Sequence, residues 1–187
     1  MKIWILESDV NNYEGFREVI DLRVDEWCSF DGRSKAEGWK PMLVEEEEGT
    51  QEMGNTPGFF MPIFDKKAVD ISKDFLQDKA EILPLEFEGK IDEYYLINVT
   101  EVLDCIDYEK SIYERYSEGG RIMCFDNYAF IEEKVKGKHI FKIVDEPLSY
   151  CFISDEFRER IINSDLVGFD IRLAWDSESD ELIKAPF

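Results

Sequence analysis

The sequence predicts an α+β fold: a single domain of mostly antiparallel sheet with a few packed helices. Three observations carry that expectation. A strand, a capping Asp or Ser, a helix and a further strand follow one another twice, around Asp65 and around Ser154. Short apolar runs separated by turn residues recur along the second part of the chain, several of them alternating with period two. The 187 residues include 14 Phe, 8 Tyr and 4 Trp, enough apolar surface to fill a core without disulfides.

Taken in order, Ile3 to Leu6 reads as the first strand, ended by Glu7, Ser8 and Asp9. Residues 10–40 are irregular, with Val19, Leu22 and Trp27 marking short pieces of strand or turn. Glu45, Glu46, Glu47 and Glu48 then lead into TQEMGNTPG. Four adjacent like charges repel one another, and Asn-Thr-Pro-Gly is turn chemistry, so this span is expected to be an exposed loop. A boundary near residue 54 divides an N-terminal extension, 1–53, packed on the core, from a main domain, 54–187.

Phe59 to Phe64 reads as a strand whose Pro62 suits an edge. Asp65 caps a helix over 66–77, with Ala68, Val69, Ser72, Phe75 and Leu76 on one face. Ile82 to Phe87 and Glu93 to Val99 are strands around the Glu88-Gly89-Lys90 turn. Thr100 or Glu101 begins a turn or short helix. Ile122 to Phe125, Tyr128 to Ile131, His139 to Val144 and Tyr150 to Ile153 are further strands. Ser154 caps a helix over 155–163 with Phe157, Ile161 and Ile162 inward, and Phe169 to Trp175 is the last strand, followed by a loose polar tail.

Charge is the strongest global signal. Forty-three acidic against 22 basic side chains give a net charge of −21. A nucleic-acid partner is therefore not expected, because a polyanion is repelled, and an anionic membrane surface is disfavoured for the same reason. A basic protein would be steered in. Cys28, Cys105, Cys124 and Cys151 are far apart with no CxxC pair, and only one histidine is present. They read as reduced, mostly buried thiols rather than a zinc site. The apolar stretch in MKIWILESD is too short for a signal-peptide core, and no later run approaches membrane-spanning length. A cytoplasmic protein is expected.

Two constellations invite a catalytic reading. Asp104 and Asp107 would share a helical face, and paired carboxylates can do acid–base work or hold a metal. Their commoner role is capping, or pairing with Lys110 or Arg115, and Asp104 to Ser111 also fits a turn in which Asp and Ser bond their own backbone. His139, in GKHIFKI, has no flanking acid or nucleophile and reads as structural. A small acidic hydrolase using Asp104, Asp107 or His139 is one alternative. An adaptor whose acidic surface imitates nucleic acid is another. No nucleotide-binding or nucleophile-elbow motif is present, and no catalytic, cofactor or metal residue is assigned.

The order of motifs carries a resemblance. Leu83-Pro84-Leu85, a tyrosine-rich strand ending in Asn98-Val99, Asp107 to Ser111, a Phe-containing strand at 140–143, Ser154-Asp155-Glu156-Phe157 and then Gly168 follow in sequence. Over roughly residues 55–175 this resembles the eleventh numbered family of bacterial polymorphic-toxin immunity proteins. The resemblance implies a non-enzymatic cytoplasmic protein that binds and neutralises a cognate toxin domain, without cofactor. Charge adds that the toxin is basic, and that Glu45, Glu46, Glu47 and Glu48 contact it.

Overall fold

The computed structural model describes residues 1–19, 30–179 and 181–186. Leu22, Trp27 and Cys28 lie outside them. Among the described residues, two five-stranded sheets and a hairpin make up the strand content. The first sheet orders β1 (Lys2–Ser8), β7 (Val102–Leu103), β10 (Ile140–Ile143), β11 (Cys151–Ser154) and β12 (Phe169–Asp176) as β12-β1-β11-β10-β7. The second orders β2 (Phe16–Glu18), β3 (Met42–Glu46), β4 (Ile63–Asp65), β5 (Ala80–Phe87) and β6 (Tyr94–Val99) as β2-β3-β5-β6-β4. Strands β8 (Ile112–Arg115) and β9 (Ile122–Asn127) form the hairpin. The ladders are antiparallel except β7 with β10 and β3 with β5, which run parallel. Three helices are described: α1 (Lys66–Leu76), α2 (Glu132–Val135) and α3 (Asp155–Ile162). The α+β class holds.

Strand alternation divides the interior into three apolar clusters. Ile3, Ile5, Phe141, Ile143 and Phe152 point from one face of the first sheet toward Phe125, Tyr128 and Phe130. From its other face, Leu6, Ile140 and Ile153 meet Phe64, Ile97 and Val99 of the second sheet. The inner faces of α1 and α3 join that middle cluster through Ala68, Phe75, Phe157 and Ile161. Ile63, Leu83, Leu85 and Leu96 point outward from the second sheet and are covered by Phe16, Phe30 and Met61. Because both faces of β10 and β11 are covered, all eight of their residues are buried.

The two caps behave as their chemistry requires. Asp65 accepts from the Ala68 amide at 2.7 Å, and α1 buries the five residues expected of it. Ser154 Oγ accepts from the Phe157 amide at 3.2 Å. Its helix buries Phe157 and Ile161 but leaves Ile162 exposed, a correction to the expected inner face. The Glu88-Gly89 turn has φ of 49° and 75°, and Phe87 and Lys90 exchange backbone bonds at 2.9 Å. Pro84 sits inside β5 without cost because β5 changes partner there. It pairs with β6 through Pro84 and with β3 from Leu85 onward.

Several elements differ from expectation. Pro62 precedes β4 rather than lying in it, although β4 is an edge strand. Residues 102–103 form β7, not a helix, and residues 104–107 are not helical. Tyr128 to Ile131 has one isolated bridge, Ile106 with Phe130, instead of a strand. The tail is tied down: the Ala185 amide bonds the Asp126 carbonyl at 2.8 Å, and Tyr150 donates to the Pro186 carbonyl at 2.6 Å. Residues 1–53 supply β1, between β11 and β12, together with β2 and β3, so a boundary at residue 54 crosses both sheets.

Candidate partner-binding surface

The acidic run lies at the end of β3 and in the turn that follows. Glu45 and Glu46 are strand residues, a correction to the expected loop, while Glu47 and Glu48 occupy the turn, and all four are exposed. Glu45 faces Arg17 across the β2–β3 ladder and pairs with it at 2.8 Å. Among the described residues no cation pairs with Glu46, Glu47 or Glu48.

What holds this turn is a second acid beneath it. Glu14 is 3% exposed, yet no cation neutralises it among the described residues. Its carboxylate instead accepts from the backbone amides of Glu48 at 3.0 Å, Thr50 at 2.9 Å, Gln51 at 3.1 Å and Gly15 at 3.2 Å. The Glu48 and Gln51 amides, then those of Thr50 and Gly15, outweigh burial and pull the carboxyl down to about 2. Such a cradle keeps the acid ionised at any physiological pH and fixes the backbone of residues 48–51. Nothing in the local pattern NNYEGF separates Glu14 from the other 42 acids, so sequence reading could not have found it.

The acidic ledge extends beyond β3. Burial pushes the Tyr94 phenol up to about 12, with further upward contributions from the charges of Asp65, Glu93, Glu46 and Glu88. Acids from the end of β3, the β5–β6 turn and the cap of α1 therefore share one electrostatic neighbourhood. Lys90 offsets Glu93 at 2.9 Å.

The residues of the hydrolase alternative are not brought together. Asp104 is exposed, with Lys134 at 3.7 Å. Asp107 pairs with Lys110 at 3.3 Å and accepts from the Glu109 amide at 3.2 Å, closing the turn, while Ser111 bonds both backbone groups of Ala129. His139 Nδ1 lies 2.9 Å from the Ser154 hydroxyl that caps α3, and its ring packs on Phe75 at 4.9 Å. Burial pushes the Cys105 thiol up to about 12 and raises Cys151 and Cys124 as well, so none of the three is an activated thiolate. Among the described residues no three His, Cys, Asp or Glu are grouped to hold a metal, and no helix is long and apolar enough to cross a membrane.

The polar side chains described so far serve helix caps, turns and an ordered acidic ledge. A sequence model described as Immunity protein family (Imm11) matches residues 79–176, just over half of the chain. The chain belongs to that family, which implies a role in toxin immunity. The match runs from β5 to the end of β12, starting later than the resemblance at residues 55–175, and the acidic run at 45–48 lies outside it. No curated protein matches the chain.

Proposed function

We propose that this chain binds and neutralises a cognate toxin domain in the cytoplasm of the producing cell, by surface complementarity and without catalysis. Its partner carries a basic face that docks on the ledge formed by Glu45, Glu46, Glu47 and Glu48 with Glu88. The observation that carries this reading is the ordered acidic turn, held by Glu14, in which no cation among the described residues pairs with Glu46, Glu47 or Glu48, on a member of an immunity family. A loop already fixed in place loses little conformational entropy on binding, and unpaired acids raise the encounter rate with a cation-rich surface. The same net charge of −21 disfavours nucleic acid as a partner.

Co-expression with the C-terminal domain of a secreted protein encoded beside this gene, followed by pull-down and a survival assay, tests the reading. Protection and a one-to-one or higher complex are expected. Replacing Glu46, Glu47 and Glu48 by Gln should slow association by about tenfold and flatten its salt dependence. A neutral or acidic toxin surface, or a triple variant that associates at the wild-type rate, would remove the acidic ledge from the interface. Equal binding to unrelated basic proteins, collapsing in moderate salt, would favour the nucleic-acid-mimicking adaptor instead.

A further inference from the structure

A second surface feature lies where the three apolar clusters meet. There the seam between the first sheet and the segment before β4 opens to solvent as a cleft of about 300 Å³. Leu6, Cys151 and Met61 form its buried floor, and Phe60 and Tyr150 its walls. Its mouth is polar. Arg172 of β12 bonds Glu7 of β1 and reaches Asp170 through Nε at 3.3 Å. Two carboxylates thus share one guanidinium. Burial raises the Glu7 carboxyl, with Arg172 opposing that rise and Asp170 adding to it.

We propose that this cleft receives one cationic side chain, an arginine or lysine, projected by the bound toxin domain. Its stem lies along Phe60 and Met61, and its head completes the charge balance at Glu7 and Asp170. Long basic side chains are suited to such a place because their methylenes cover apolar surface while the head meets carboxylates. At about 300 Å³ the cleft lies at the lower end of ligand-pocket volumes of about 300–1,000 Å³, room enough for one long side chain. An apolar anchor would cover Glu7 and Asp170 while leaving them one cation between them, which desolvation penalises. A central anchor in a walled pocket is also where interfaces concentrate their binding energy.

This inference rests on the toxin-binding reading, so its test has two arms. In the first, the isotope-labelled full chain is titrated with N-acetyl-arginine amide and, separately, with N-acetyl-norleucine amide, followed by NMR. The arginine probe should shift resonances at Glu7, Met61, Asp170 and Arg172 and bind about fivefold more tightly than norleucine. The double variant Glu7→Gln, Asp170→Asn should abolish that preference, and Ser149→Trp at the exposed rim should block the probe without touching the ion cluster. Equal response to both amides, or no localised shift at millimolar probe, overturns the proposal. In the second arm, the double variant should weaken the toxin domain's affinity about tenfold, mainly through faster dissociation. Wild-type affinity in a folded double variant overturns the proposal while leaving toxin binding intact. If the wild-type chain does not hold that domain, the toxin reading fails, and the amide titration alone decides whether the cleft takes a cationic side chain.

Discussion

Backbone amides neutralise Glu14 in place of a cation, and this changes how the residue responds to pH. A folded carboxyl held at about 2, against an ordinary 4.5, contributes stability that is fully present above pH 4.5 and is lost as pH falls toward 2. An NMR titration should find the Glu14 carboxyl still ionised at pH 3, where exposed glutamates are mostly protonated. Glu14→Gln should speed hydrogen exchange of the Glu48, Thr50 and Gln51 amides at neutral pH while the first sheet's amides stay protected. Because the hold is on backbone groups, it does not depend on which side chains stand at Glu48, Thr50 and Gln51, whereas Gly49, at φ of 67°, is fixed by its conformation. Ser154 is a different kind of residue. It caps α3 and meets His139, so Ser154→Ala should cost about 1 kcal/mol in chemical denaturation.

Among the contacts between helices α1 and α3, two differ sharply in worth. Phe75 stacks on Phe157 at 4.9 Å within the buried middle cluster, and outside it Arg160 grips Asp74 at 2.9 and 3.0 Å in solvent. Burial decides between them: Phe157→Ala should cost about 3–5 kcal/mol, while Asp74→Asn should barely move the melting temperature. Elements of this sort were legible in the sequence. Helices α1 and α3 announce themselves through an N-cap and a 3.6-residue stripe, and β5, β6 and β12 through length and flanking turns. What escaped reading are the four-residue α2, the hairpin strand β8, and the short strands β2, β3 and β7, the last two of which depend on partners remote in sequence. Val102 and Leu103 become a strand only because β10 lies beside them. Glu45 and Glu46 look like loop residues by charge, yet β2 and β5 pin their strand from both sides. The candidate surface was half legible: the run of four glutamates is plain, but the acid beneath it and the Glu7–Asp170–Arg172 cluster exist only once distant segments pack.

For the molecule as a whole, a net charge of −21 is a standing repulsion that salt relieves. The melting temperature should therefore rise between low and about 0.3 M sodium chloride, where the Debye length is below about 10 Å, while the toxin association rate falls over the same range. A melting temperature that falls with salt would mean that attractive pairs such as Arg160–Asp74 outweigh the general repulsion.

The place of β1 also bears on the order in which the chain can assemble. It is made well before its two neighbours, β11 and β12, with Ile3 facing Ser154 on one side and Trp175 on the other. The strand must wait unpaired until both have left the ribosome, and contacts so remote in sequence close slowly. A new copy of this chain thus lacks its first sheet until β11 and β12 are made, and a cell relying on it needs finished copies in store before they are called on.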